Sequence, residues 1–276
     1  MIDDLELSEI KRVSAFIKEN FSYDFTNYAL SSFKRRLLRI MELYKFSNVD
    51  EIINKLQREP EFHKTLLVEI TVNVTEMFRD PSLWRVLRDQ VIPNLLQVQN
   101  EIKIWHAGCS SGEEVYSMCI LLEELGALDK VKITATDIDH VILQKAKKGR
   151  YSLKNTQDVN DKNYIRFEGK TKLSDYYTID GQEIVMNQNL IRNVTFREHD
   201  LVRTGWFSKF DIILCRNVMI YFNQNLQNEV FRMFHQSLFN YAYLIIGAKE
   251  TLVWCDIANK FITVNNEEKI YKKVRD

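Results

Sequence analysis

The stretch IKIWHAGCSSGEEVY, residues 102–116, runs from β-prone residues through a turn of small residues into a segment that opens on two carboxylates. Its first part, Ile102 to Gly108, predicts a strand, and Glu113 to Leu125 predicts a helix. Gly108 and Gly112 lie in the turn, where the lack of a side chain lets a ligand approach the backbone closely. The unit is that of a nucleotide-like cofactor loop in a Rossmann-like sheet. The turn is not GxGxxG and lacks the Lys-Ser or Lys-Thr ending of a P-loop, while Glu113 and Glu114 would repel a pyrophosphate at the helix start. NAD and ATP are therefore disfavoured. S-adenosylmethionine carries no phosphate, but a sulfonium and an α-amino group, so an acidic helix start suits it. The plainer alternative is that both glutamates only complement the helix dipole.

The same alternation continues toward the C-terminus. VKITATD (131–137) predicts a second strand and Val141 to Lys148 a second helix. FDIILC (210–215) and YLIIGA (243–248) predict later strands, with a helix from Leu226 to Phe239 between them. Repeated units of this kind build an α/β domain around a parallel sheet. Asp137 ends the second strand, where Rossmann-like folds hold ribose hydroxyls and a carboxylate can accept from both; Asp139 competes with it as a cap of the next helix. Between about Tyr151 and Asn193 the alternation gives way to a polar stretch in which Asp180-Gly181 separates YYTI from QEIVM. An Asp-Gly pair in that setting predicts a small antiparallel insert closed by a type I′ turn.

Toward the N-terminus the periodicity is helical: Ile10, Val13 and Ile17; Leu30, Phe33, Leu37, Met41 and Tyr44; Val49, Ile52, Ile53 and Leu56. Asn48 and Glu51 have capping-box spacing, and Pro60 suits the first turn of a helix through Phe62, Leu66 and Ile70. The chain thus divides into an N-terminal helical domain over residues 1–72, a linker and first helix over the cofactor site at 73–100, and a Rossmann-like domain over 101–276 with its β insert at about 151–193.

Composition narrows the function classes. With 38 basic and 38 acidic residues in a chain of 276, nothing in the overall charge draws it to nucleic acid or to an anionic membrane. The start MIDDLELSEIKR is acidic and reaches no apolar run, and no stretch is long and apolar enough to insert in a membrane, so a cytoplasmic protein is expected. Cys109, Cys119, Cys215 and Cys255 lack CxxC spacing and read as buried free thiols; the five histidines lack HxxxH spacing, so no metal is expected. Trp84, Trp105, Trp206 and Trp254 are dispersed and read as packing residues.

Two further stretches are unusual for loops: TVNVTEMFRD (71–80) and CRNVMIYF (215–222). With them the order T-x-N-x-T-x-x-F-R, A-x-x-S-x-G-E-E, D-I-D and C-R-N-V-x-I-Y-F is complete, and the chain resembles the chemotaxis receptor glutamate methyltransferases, the CheR family, from its helical start to about Glu250. The resemblance implies S-adenosylmethionine as cofactor, no metal, and the cytoplasmic helical region of chemotaxis receptors as partner. It implies that Asn73, Thr75 and Arg79 lie on the linker over the cofactor, beside the turn at Gly108. Glu114 matches the loop glutamate, Asp137 the ribose ligand, Asp200 and Leu201 the adenine side, and Arg216 and Asn217 a further cofactor contact. Arg79 and Tyr221 match the catalytic positions closest to the transferred methyl.

Arg36 and Arg39 match basic positions on a helix implicated in substrate recognition. They belong to a run from Asp24 to Glu42 with four basic and no acidic residues between, and Arg35, Arg36 and Arg39 are expected to form a cationic stripe toward solvent. Some family members grip a receptor's C-terminal pentapeptide through the β insert with arginine and glycine. Here the hairpin shows no arginine until Arg192, so independence from such a peptide is expected. The sequence departs from the family at Val115, which replaces a proline, at FNYAYLII, which lacks a glycine turn, and at Ala248-Lys249-Glu250 in place of H-S-E. A glutamate nucleophile is already ionised at neutral pH, so no general base is required and kcat/KM is expected to stay nearly flat from about pH 6 to 8. A non-catalytic S-adenosylmethionine-binding module and a methyltransferase for another carboxylate are the alternatives.

Overall fold

The computed structural model describes residues 5–21, 23–71 and 75–274. Four helices lead: α1 (Leu7–Asn20), α2 (Leu30–Tyr44), α3 (Val49–Arg58) and α4 (Phe62–Thr71). Their apolar stripes close one core, with Val13 of α1, Leu37 and Ile40 of α2, Ile52 of α3 and Leu66 of α4 buried against one another. Leu30 and Tyr44, expected in the α2 stripe, are exposed, since they are the terminal residues of a helix whose middle turns fill the core. Asn48 caps α3 by accepting the Glu51 N–H at 3.2 Å, and Glu51 returns a bond to the N–H of Ser47, one residue earlier than a capping box requires. Pro81 opens α5 (Pro81–Val86), which passes through a π turn over Leu87–Val91 into α6 (Ile92–Leu96). Pro93 has no N–H to offer the carbonyl four residues back, a break that a π turn absorbs.

The α/β part follows as β1 (Ile102–Ala107), α7 (Glu113–Glu124), β2 (Val131–Asp137), α8 (His140–Lys148), β3 (Arg150–Ser152), α9 (Leu153–Phe167), β4 (Tyr177–Asp180), β5 (Glu183–Met186), β6 (Val194–Glu198), β7 (Phe210–Cys215), α10 (Gln224–Ser237), β8 (Leu238–Ile246), β9 (Phe261–Asn265) and β10 (Ile270–Lys273). Seven strands form one sheet in the order β6-β2-β1-β7-β8-β10-β9. The first five in that order are parallel, while β10 is antiparallel to both β8 and β9. Ile104 and Trp105 of the central β1 are both fully buried, one in each of the two cores that cover the sheet, as a strand hidden on both faces must be. The strand order reverses between β1 and β7, and the loops leaving their carboxyl ends diverge to open a crevice. The expected Rossmann-like fold, with its helical N-terminal domain and small antiparallel insert, is the fold observed.

Three features differ from the sequence reading. The insert, a separate sheet in the order β3-β5-β4, contains the 15-residue helix α9, which the polar stretch concealed. The hairpin turn falls on Gly181 and Gln182, and only Gly181 has positive φ, so it meets the requirement of a type II′ turn and not that of type I′. β8 starts at Leu238, five residues before the expected strand, and Tyr241 takes the left-handed conformation (φ +65°) in place of a glycine turn. All four cysteines are buried and free. Trp84 and Trp105 are packed in the interior, but Trp206 and Trp254 are exposed. No helix among the described residues is long and apolar enough to cross a membrane.

Candidate active site

The carboxyl ends of β1, β2, β6 and β7 open onto a single cleft that also touches the helical domain. Thr75 and Arg79 reach it from the chain entering α5, Gly108 and Glu114 from the β1–α7 turn, and Asp137 from the end of β2. Asp200 and Leu201 line it from beyond β6; Arg216, Asn217 and Tyr221 line it from beyond β7. Residues as far apart in sequence as Thr75 and Tyr221 are thus brought together. Asn73 lies outside the described residues. Arg36 and Arg39 are not in the lining; they stand on α2, and there the expected solvent stripe is only partly formed. Arg39 is exposed and paired with Glu69 at 3.4 Å, whereas Arg36 is half-buried with its Nε enclosed and without a hydrogen-bond partner among the described residues.

The floor of the cleft is backbone. Gly108 and Cys109 both donate N–H to the Thr136 carbonyl at 2.8 Å, which ties the β1 turn to the end of β2. Gly108 has φ +78°, and a Cβ there would stand 2.6 Å from Val218 Cγ2. Gly112 has φ +93° and would meet Ala146 Cβ at 2.8 Å, so α7 and α8 can approach only because position 112 has no side chain. Phe78, Asp80, Ser110 and Asn217 are non-glycine residues at positive φ of 50–61°, and all lie on the loops that build the cleft. Backbone held in this region collects at ligand sites, where surrounding structure fixes it. Phe78, for example, stacks on Phe167 at 4.6 Å and donates its N–H to Ser117 Oγ.

Charge is arranged in a chain along one wall. His106 Nδ1 lies 2.8 Å from Glu114 Oε1, Arg216 donates to Glu114 Oε2 at 3.0 Å, and the other end of the guanidinium bonds Asp80. Hydrogen bonds from His106 and the charge of Arg216 outweigh burial and hold the Glu114 carboxyl below its ordinary pKa. Each of its oxygens is already engaged, but a carboxylate has about four acceptor positions and retains some for a cationic ligand. Asp137 accepts N–H groups from Ser110 (2.8 Å) and Asp139 (3.1 Å), yet burial dominates and pushes its pKa up to about 6. Asp139 caps α8 by accepting from Val141 and Ile142, so of the two aspartates it is the one that takes the cap role. Burial also raises the pKa of Asp200, which accepts the Val202 N–H at 2.8 Å.

The Arg79 carbonyl accepts from Trp84 Nε1 at 2.9 Å, while its guanidinium has no ion pair among the described residues; the Tyr221 hydroxyl likewise has no hydrogen-bond partner among them. Both groups are available to a ligand. Three residues that sequence reasoning missed support this arrangement. Glu250 accepts N–H groups from Gly247, Asn217 and Ile220, so this buried carboxylate shapes the loop that carries Asn217 and Tyr221. It was visible only as part of a departure from the family pattern. His106 carried no signal, being one inward position on a strand. His199 is buried beside Trp105 and Phe207, and burial lowers its pKa to about 4, which keeps the ring neutral. No group of residues among those described could hold a metal ion.

Comparison with known proteins agrees with the motif order. Residues 73–270 match the family described as "CheR methyltransferase, SAM binding domain", and residues 8–71 match "CheR methyltransferase, all-alpha domain". The chain is 37% identical to the protein Cher3 of Pseudomonas putida over 96% of each chain. It is 32% identical to a chemotaxis protein methyltransferase of Listeria innocua over 92% of this chain and 93% of the relative. It is also 32% identical to chemotaxis protein methyltransferase 1 of Vibrio cholerae, over 87% of each.

Proposed function

The chain belongs to the CheR methyltransferase family, and from that premise we propose that it transfers the methyl group of S-adenosylmethionine to glutamate carboxylates on the cytoplasmic helical region of chemotaxis receptors, leaving glutamate methyl ester and S-adenosylhomocysteine. The observation that carries the reading is the cleft itself, in which carboxylates and two unengaged polar groups share one lining. Glu114, Asp137 and Asp200 line it together with Arg79 and Tyr221, whose guanidinium and hydroxyl have no side-chain partner among the described residues. The lining fits the cofactor: a backbone cradle closed to any Cβ at Gly108, and carboxylates suited to a sulfonium, an amino group and a ribose. When bound there, the cofactor supplies an electrophilic methyl group on sulfur.

The protein's part is to orient and to desolvate. A glutamate with an ordinary pKa of ~4.3 arrives ionised, so no residue has to remove a proton from it. Tyr221 orients this carboxylate by donating its hydroxyl hydrogen, and Arg79 fixes either that carboxylate or the one on the cofactor. Alignment of this kind supplies roughly 7–11 kcal/mol in favourable cases. Arg36 and Arg39 on α2 meet the acidic receptor segment before its glutamate enters. Cofactor contact by Asn73 remains part of the same proposal.

The test is incubation with radiolabelled S-adenosylmethionine and receptor cytoplasmic fragments. Base-labile label on glutamate is expected. Cofactor binding without label on any acceptor would make the chain a non-catalytic module, and label on another carboxylate alone would change the substrate.

A further inference from the structure

The helical and α/β domains meet beside the cleft in a short antiparallel bridge. Ala29 donates its N–H to the Tyr221 carbonyl at 2.8 Å and Asn223 donates to the Asn27 carbonyl at 2.9 Å, so Tyr28 and Phe222 face each other between the two bonds. In a pair of this type the side chains leave on one face and at close range. The two rings do lie edge to face, with centroids 5.2 Å apart. Phe25, itself buried, packs against the Tyr28 ring at 4.9 Å. The ring is thereby fixed by one residue from each domain, and both Tyr28 and Phe222 line the cleft.

The part of the cleft beside Tyr28 is identified by charge. Burial first, then the negative charges of Asp200 and Asp137 and the neighbouring Tyr221 phenol, push the Tyr28 phenol above its ordinary pKa. These two carboxylates are the ones assigned above to the adenine and ribose. The Tyr28 hydroxyl has no hydrogen-bond partner among the described residues, and the residue lines the cleft.

We propose that Tyr28 is a cofactor-binding residue supplied by the helical domain, its ring forming the wall against which the adenosine half of S-adenosylmethionine rests. An aromatic face is suited to a nucleobase or ribose edge because it offers large, rigid contact area at small entropic cost, and every base has a π-face. The helical domain then serves the cofactor as well as the protein substrate, and cofactor binding draws on both domains. The proposal rests on the cleft being the cofactor cleft.

Calorimetric titration of the full chain with S-adenosylhomocysteine and with 5′-methylthioadenosine, which keeps the adenosine and lacks the amino acid, tests it. Tyr28→Leu retains apolar bulk at the bridge, and Tyr28→Phe removes only the hydroxyl. Tyr28→Leu is expected to weaken both ligands by the same factor, about tenfold, as loss of one base–aromatic contact does, and Tyr28→Phe to weaken both by less. Binding stoichiometry and thermal midpoint report whether each variant is folded. Wild-type affinity in a folded Tyr28→Leu overturns the proposal, as does a loss confined to S-adenosylhomocysteine, which would move Tyr28 to the amino-acid half. Failure of the wild-type chain to bind S-adenosylhomocysteine overturns the cofactor reading itself.

Discussion

Asp137 shows how far one residue could be read from sequence. Its position at a strand end suggested either a ribose ligand or a cap, and the choice depended on Asp139, which the structure commits to α8. Asp137→Ala is expected to weaken S-adenosylhomocysteine binding by about 1.5–3 kcal/mol, the worth of a hydrogen bond to a charged group; calorimetry on a folded variant that shows unchanged affinity would reassign it. The residues that line the cleft were legible because most of their motifs are contiguous strings. His106 and Glu250 were not, because their partners, Glu114 and Asn217, are set by strand pairing and loop closure that no local pattern encodes. His199 gives a separate prediction about stability. Its folded pKa of about 4 lies below the ordinary value near 6.5, so the unfolded chain takes up the proton first and stability is lost as pH falls from about 6.5 toward 4. His199→Phe removes that loss. Thermal midpoints at pH 7.5 and 5 should show the variant gaining on wild type in acid, and a constant difference would show that the ring titrates normally.

Elements were legible where one face is uniformly apolar. α2 buries Phe33, Leu37, Ile40 and Met41 as its spacing requires. α9 escaped notice because two positions of its inward face are polar: Asn160 is buried to accept the Met77 N–H, and Gln157 reaches Tyr177, so the stripe from Leu153 to Phe167 lacks its middle. Substrate recognition belongs to this scale. Arg36→Glu with Arg39→Glu is expected to raise KM for the receptor several-fold and to flatten its dependence on ionic strength, while S-adenosylhomocysteine affinity stays unchanged, since rim charges act mainly on encounter. Methylation rates across receptor and salt concentrations check this; wild-type kinetics would make α2 an ordinary solvated helix. The β insert holds an arginine that the hairpin alone did not reveal, Arg150 on β3, but it is paired with Asp180 and Glu183 at 2.7 Å. An arginine held between two carboxylates is not presented to a peptide's own acidic groups. A receptor C-terminal pentapeptide is therefore expected to bind no more tightly than a scrambled one in fluorescence anisotropy, and sequence-dependent tight binding would refute this.

For the molecule as a whole, the repeating α/β pattern gave away the central parallel strands, whereas the order β8-β10-β9 was hidden because an antiparallel return carries no crossover helix. Activity is also a property of the whole arrangement. With a glutamate acceptor, as proposed, no base is required and kcat/KM for S-adenosylmethionine is expected to be flat from about pH 6.5 to 8. It should fall as acidity protonates Asp137 near pH 6, since the neutral acid loses its charge-assisted acceptance of hydroxyls. This narrows the plateau anticipated from the nucleophile alone, and a rise through neutrality tracking one enzyme group would instead expose a missed base. The sheet order has one more consequence, for synthesis. β10 is made after β9 but sits between β9 and β8, so on the ribosome β8 waits with an unpaired edge until Ile270–Lys273 has emerged, and β9 cannot dock before it. At ~5–20 residues per second the interval lasts only seconds. Through it residues 243–245 of β8, which β10 later pairs, keep their backbone edge open, the condition under which a strand of one chain can pair with a strand of another.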